Sequence, residues 1–150
     1  MKVNPPAPEA AETADALACR IAGVMYGRDY AAQSMGIEVL EVREAFAVLS
    51  MRVRRDMLNG HVIAHGGAVF ALADTAFAYA CNSRNEPTVA LQCTISFTRA
   101  AREGETLIAR AEERARTRRT STYDVTIATD GGETIALFRG VGYIKAGTYL

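Results

Sequence analysis

Apolar residues first fall at helical spacing over residues 13–27, where Leu17, Ile21, Val24 and Met25 share one face. Thr13 suits the N-cap of that helix and Gly27 its end. From Gly36 onward the period shortens to that of a strand. Residues 39–53 alternate apolar and polar side chains around Arg43-Glu44, which predicts a hairpin leading into a loop at Asn59. Helical spacing returns from Gly66 to Cys81 or Asn82, with Leu72, Ala73, Ala76, Phe77 and Ala80 recurring, and Pro87 lies beyond the end. Four more alternating runs, near residues 88–99, 104–117, 120–129 and 133–146, are separated by turn-rich positions such as Glu103-Gly104 and Asp130-Gly131-Gly132. One long helix among antiparallel strands is an α+β arrangement. A curved sheet wrapped around that helix is the simplest way to bury its apolar surface.

Composition narrows the picture. A chain of 150 residues with a 49% hydrophobic share suits one domain, expected over residues 13–150 after a Pro- and Ala-rich leader at residues 1–12. Lys plus Arg and Asp plus Glu balance at 17 each, which argues against a nucleic-acid partner. Cys19, Cys81 and Cys93 are odd in number and lack C-x-x-C spacing, so they read as reduced core residues of a cytoplasmic protein. No basic segment followed by an apolar core opens the sequence, so no secretory signal is expected. The low-charge run over residues 62–81 is broken by His65, Gly66, Gly67 and Asp74, and mid-bilayer Asp is costly, so no membrane span is expected either.

The chemistry concentrates in Asn59-Gly60-His61-Val62-Ile63-Ala64-His65-Gly66-Gly67 and in Asp74, the one acid of the apolar helix that follows. A carboxylate near a core needs partners or a catalytic task. The glycine pair permits either tight packing or close approach of a ligand to the helix start, where backbone N–H groups lack intrahelical acceptors and can hold a developing oxyanion. Removing one such donor typically costs about 3 kcal/mol of transition-state stabilisation. Asn59-Gly60, taken alone, is a turn. His61 and His65 lack the intervening Glu of H-E-x-x-H and any third ligand at recognisable spacing, so no metal is expected. The absence of G-x-S-x-G, of a phosphate-binding glycine loop and of a complete dinucleotide fingerprint removes serine hydrolases, NTPases and dehydrogenases.

The string N-G-H-x-x-x-H-G-G-x(6)-A-D-x-A-F-A-Y-A-C-N-S, together with Cys93-Thr94-Ile95-Ser96-Phe97, Tyr123-Asp124-Val125 and Ile135-Ala136-Leu137-Phe138-Arg139-Gly140, resembles the hotdog-fold acyl-CoA thioesterases of the phenylacetic acid degradation type. The resemblance runs without a large insertion over roughly residues 35 to 145. It implies a hotdog fold, hydrolysis of an aryl-acetyl-CoA of the phenylacetyl or hydroxyphenylacetyl kind, and no cofactor. It gives Asp74 the role of nucleophile or general base, Gly66 that of oxyanion donor, His65 that of shaping the oxyanion loop, and Asn59 a contact to the substrate carbonyl or the water. Gly67 would lie against the substrate. Where related enzymes place a Ser or Thr hydroxyl early in the strand after the helix, this chain reads Thr88-Val89-Ala90-Leu91-Gln92, leaving Thr88 or Gln92 as substitutes. Among Arg114, Arg116, Arg118 and Arg119, the last two are the candidates for coenzyme A phosphates, against the plainer reading of a solvated strand end.

Eight residues of α-helix span about 12 Å, so one thioester carbon cannot meet both Gly66 and Asp74 of the same chain. A homodimer with shared active sites is therefore expected, and a dimer of dimers beyond it. A hotdog dehydratase or hydratase, and a non-catalytic acyl-CoA-binding protein, are the alternative readings.

Overall fold

Residues 11–150 are described by a computed structural model, so the expected leader lies outside the described residues except for its last two. Helix α1 (Ala14–Tyr26) starts at Thr13, whose hydroxyl accepts the Ala16 N–H at 3.2 Å, and buries Ala18, Ile21, Ala22 and Met25. A short helix that the periodicity did not reveal follows, α2 (Tyr30–Met35). Asp29 caps it by accepting the Ala32 N–H at 3.0 Å, and Gly36 ends it in the left-handed region at φ 67°. Six residues are too few to establish a helical period.

The sheet contains β1 (Ile37–Arg43), β2 (Phe46–Arg52), β3 (Thr88–Phe97), β4 (Thr106–Arg116), β5 (Thr120–Thr129) and β6 (Thr134–Ile144). All neighbours are antiparallel, in the order β1-β2-β4-β5-β6-β3. The first hairpin turns at Glu44-Ala45, one residue later than expected, because Ala45 takes the left-handed position and its N–H donates to Ser83 Oγ at 2.7 Å.

Helix α3 (Gly66–Asn82) is the centre of the fold and touches all six strands. Its residues Leu72, Ala73, Ala76, Phe77 and Ala80 are buried, as their spacing predicts, against Leu49, Leu107, Tyr123, Ile127 and Phe138 of the sheet. Phe77 meets Tyr123 and Phe138 edge-on or tilted, with ring centroids 5.7 and 6.1 Å apart. Such a helix, apolar nearly all round, is stable only because the sheet wraps it. At its C-terminal end Arg84 pairs with Glu44 and Glu113, and the Tyr123 hydroxyl donates to Glu113 at 2.8 Å. None of the described helices is long and apolar enough to cross a membrane.

Two strands form the sheet margins, and they differ. β1 is overlaid by α1, whereas β3 has β6 on one side and a free edge on the other. Ten residues long, β3 leaves Val89, Leu91 and Phe97 about half exposed or more. A long apolar edge of this kind is a template for pairing with another chain.

Candidate active site

The loop before α3 is a closed unit. Asn59 N–H donates to the Ile63 carbonyl at 2.9 Å, Leu58 bridges to Ala64, and Asn59 Oδ1 accepts the His61 N–H at 2.9 Å. The Asn59 amide oxygen thus holds the loop, while its Nδ2 has no hydrogen-bond partner among the described residues. His65 N-caps α3, its Nδ1 accepting the Gly67 N–H at 2.9 Å. That bond commits the Gly67 amide to the cap. Gly66 N–H, one residue earlier, donates to no group among the described residues.

Gly66 opens onto a cleft of about 340 Å³ lined by Asn59, Gly66, Val69, Phe97, Ala101 and Ile135. The Phe97 ring closes down on the glycine: a Cβ at Gly66 would sit 3.1 Å from Phe97 Cζ. Phe97 is 53% exposed. Phe77 and Tyr79 are core residues, and Phe70 is half-buried against Phe138. Because Phe97 ends the marginal strand, its ring stands between the cleft and the free edge of β3.

Asp74 lies two helical turns beyond Gly66, half-buried and facing β3. Burial pushes its carboxyl above the ordinary aspartate range, opposed by the Cys93 thiol, whose Sγ lies 3.9 Å from Oδ1. No cation pairs with Asp74 among the described residues. Within one chain Asp74 and Gly66 stand about 12 Å apart along the helix, so they do not converge there.

The remaining expected residues separate. Thr88 is buried at the start of β3, donating its hydroxyl to the Glu86 carbonyl at 3.0 Å, and lies five residues before Cys93, about 16 Å along the strand. Gln92 precedes the inward-facing Cys93 and so projects from the opposite, exposed face of the sheet. Neither touches Asp74 of its own chain. Of the four arginines, Arg114 pairs with Asp124 and Glu112, and Arg116 with Glu86. Arg118 and Arg119, in the β4–β5 connection, are exposed and form no ion pair among the described residues. Lys145 joins them at that end of the sheet, since Ile144 N–H donates to the Arg119 carbonyl at 2.8 Å. Cys81 is buried, but Cys93 is half-buried and Cys19 exposed, so the expectation of three core cysteines holds only for the first. No group of three or more His, Cys, Asp or Glu among the described residues is arranged to hold a metal, and His61 is exposed.

The helix start and the acid within it lie in a stretch that matches known proteins. The Thioesterase superfamily profile matches residues 61–136, which contain His65, Gly66 and Asp74. The acyl-coenzyme A thioesterase PaaI of Escherichia coli is 46% identical over 127 residues, 85% of this chain and 91% of that protein. The solved structure of the E. coli PaaI protein from the phenylacetic acid degradation operon superposes with a TM-score of 0.89 at 44% identity, covering 91% of this chain and 99% of that one. A hypothetical thioesterase from Streptococcus pneumoniae, solved with coenzyme A, superposes with a TM-score of 0.77 at 25% identity, over 83% of this chain and 98% of that one. The chain is a hotdog-fold enzyme and belongs to the thioesterase superfamily.

Proposed function

We propose that this protein hydrolyses acyl-CoA thioesters, with aryl-acetyl groups of the phenylacetyl type as its acyl class, in a homodimer whose two sites are each built from both copies. The observation that carries the reading is the presence of two groups on α3: a half-buried carboxylate with no cation partner and, at the helix start, an amide with no acceptor, both among the described residues. The 46% identity to E. coli PaaI supports the CoA thioester as substrate, as does the coenzyme A bound by the pneumococcal relative.

The free β3 edge is where the second copy docks. Pairing there brings the Asp74 of one copy toward the Gly66 cleft of the other, which the length of the helix forbids within one chain. Asp74 acts as general base. A water molecule gives it a proton while the water oxygen bonds to the thioester carbon, and the carbonyl oxygen becomes negative against Gly66 N–H. On collapse the carbon–sulfur bond breaks, the CoA sulfur leaves with the bonding pair, and the proton returns from Asp74 to it. Free acid and CoA result, with no cofactor consumed. Burial suits Asp74 to this, because a carboxylate with raised proton affinity is a stronger base.

Asn59 Nδ2 and Phe97 border the acyl cleft, where an aryl ring can stack. Arg118 and Arg119 receive CoA phosphates at the far end of the pantetheine arm. A dimer of dimers is the expected assembly. The test is release of free thiol from phenylacetyl-CoA by the purified protein. Steady release supports the reading, whereas phenylacetyl-CoA binding with no thiol at any pH overturns it in favour of a binding protein.

A further inference from the structure

Asp74 faces few polar groups. On its own helix Cys81 lies two turns on, buried. From β5 and β4, Tyr123 and Glu113 reach the C-terminal end of α3, where they bond to each other and to Arg84. From β3 comes the Cys93 thiol, the only side-chain hydrogen-bond donor to Asp74 among the described residues. Cys93 points inward between the exposed Gln92 and Thr94, and its cross-strand partner on β6 is Gly140. A Cβ at Gly140 would stand 3.0 Å from the Phe77 and Phe138 rings, tighter than ordinary contact, so the bare position lets β6 lie close on the helix. Beside this close-packed pair, the thiol reaches the carboxylate from the strand that carries the proposed dimer edge.

We propose that Cys93 is a positioning residue for the hydrolysis, its thiol fixing the orientation of the Asp74 carboxylate; this rests on the base role assigned above. A thiol suits the task because it is a weak donor. An arginine or lysine there would hold the carboxylate firmly charged and blunt its basicity. The thiol orients one oxygen and leaves the other for water. Because the bond originates on β3, alignment of the base is tied to the strand at which the second copy docks.

The test compares Cys93→Val, which keeps the packing and removes the donor, with Cys93→Ser, which keeps a donor. Rates of thiol release from phenylacetyl-CoA are measured across pH, alongside Asp74→Asn. We expect Cys93→Val to lower kcat about fivefold to tenfold with KM nearly unchanged, in line with losing one weak hydrogen bond. Its acidic limb of kcat/KM moves to higher pH, because a donor that favours the charged form is gone, and Cys93→Ser returns both toward wild type. Cys93→Ala substitutes if valine disturbs the sheet. Unchanged kcat in the donor-less variant overturns the proposal, as does a loss of kcat with the acidic limb unmoved, which marks a packing role. If Asp74→Asn also retains turnover, the base assignment itself fails. If it abolishes turnover while Cys93→Val matches wild type, only the positioning role fails.

Discussion

Replacing Asp74 by Asn keeps the shape of the side chain and removes its ability to take a proton, so the base role and the cost of burying the charge are tested together. General-base catalysis contributes about 10²–10⁴-fold, hence kcat should fall by that factor, equivalent to roughly 3–5 kcal/mol of barrier. Stability should move the other way. Burial without a cation raises the folded-state pKa above the unfolded one, so the charged form strains the fold. That strain is absent below the unfolded pKa of about 3.9, grows as pH rises through the window up to the folded value, and is fully present above it. Complete desolvation of a lone charge costs several kcal/mol, but Asp74 is only half-buried, so a gain of about 1 kcal/mol is expected for Asn. For a chain of this size that is about 2–4 °C in Tm at neutral pH. The assay is thiol release beside thermal melts at fixed protein concentration, at pH 7 and near pH 3.5. The Asn advantage should shrink toward zero at the lower pH. Turnover within tenfold of wild type, or a lower Tm at pH 7, refutes the reasoning.

Two further outcomes follow from packing and charge. Gly142→Ala places a Cβ 2.6 Å from Thr88 Cγ2 and 3.2 Å from Ser121 Oγ, both buried, so it should destabilise by about 1–3 kcal/mol, read as a lower urea midpoint at unchanged slope. Arg118→Ala with Arg119→Ala should raise KM for phenylacetyl-CoA several-fold, leave kcat nearly unchanged and weaken the salt dependence of kcat/KM, whereas Arg114→Ala, already paired with Asp124, should do much less.

Much of the fold can be read from period alone. Helix α3 and the four strands after it emerge within two or three residues of their expected limits, because apolar spacing and glycine- or proline-rich breaks agree there. Helix α2 escapes because its evidence lies in its caps, Asp29 and Gly36, and not in its six internal residues. Of the candidate site, Asp74, His65, Gly66 and Asn59 are legible within one stretch of sequence. The fate of the arginines is not. Whether Arg116 is free depends on Glu86, thirty residues away in sequence, and Arg114 depends on Asp124 across the β4–β5 register. Cys93 reads as a core residue because its apolar surroundings in sequence do not tell how much of that face of β3 is covered.

In the proposed dimer, each active site takes its acid from one copy and its oxyanion amide from another. Mixing Asp74→Ala subunits with Gly66→Pro subunits, each inactive alone, measures this directly through thiol release after confirmed subunit exchange. Shared sites predict that every mixed dimer regains one intact site, so a random mixture recovers about a quarter of wild-type activity. No recovery in demonstrated mixed dimers would contradict the shared site.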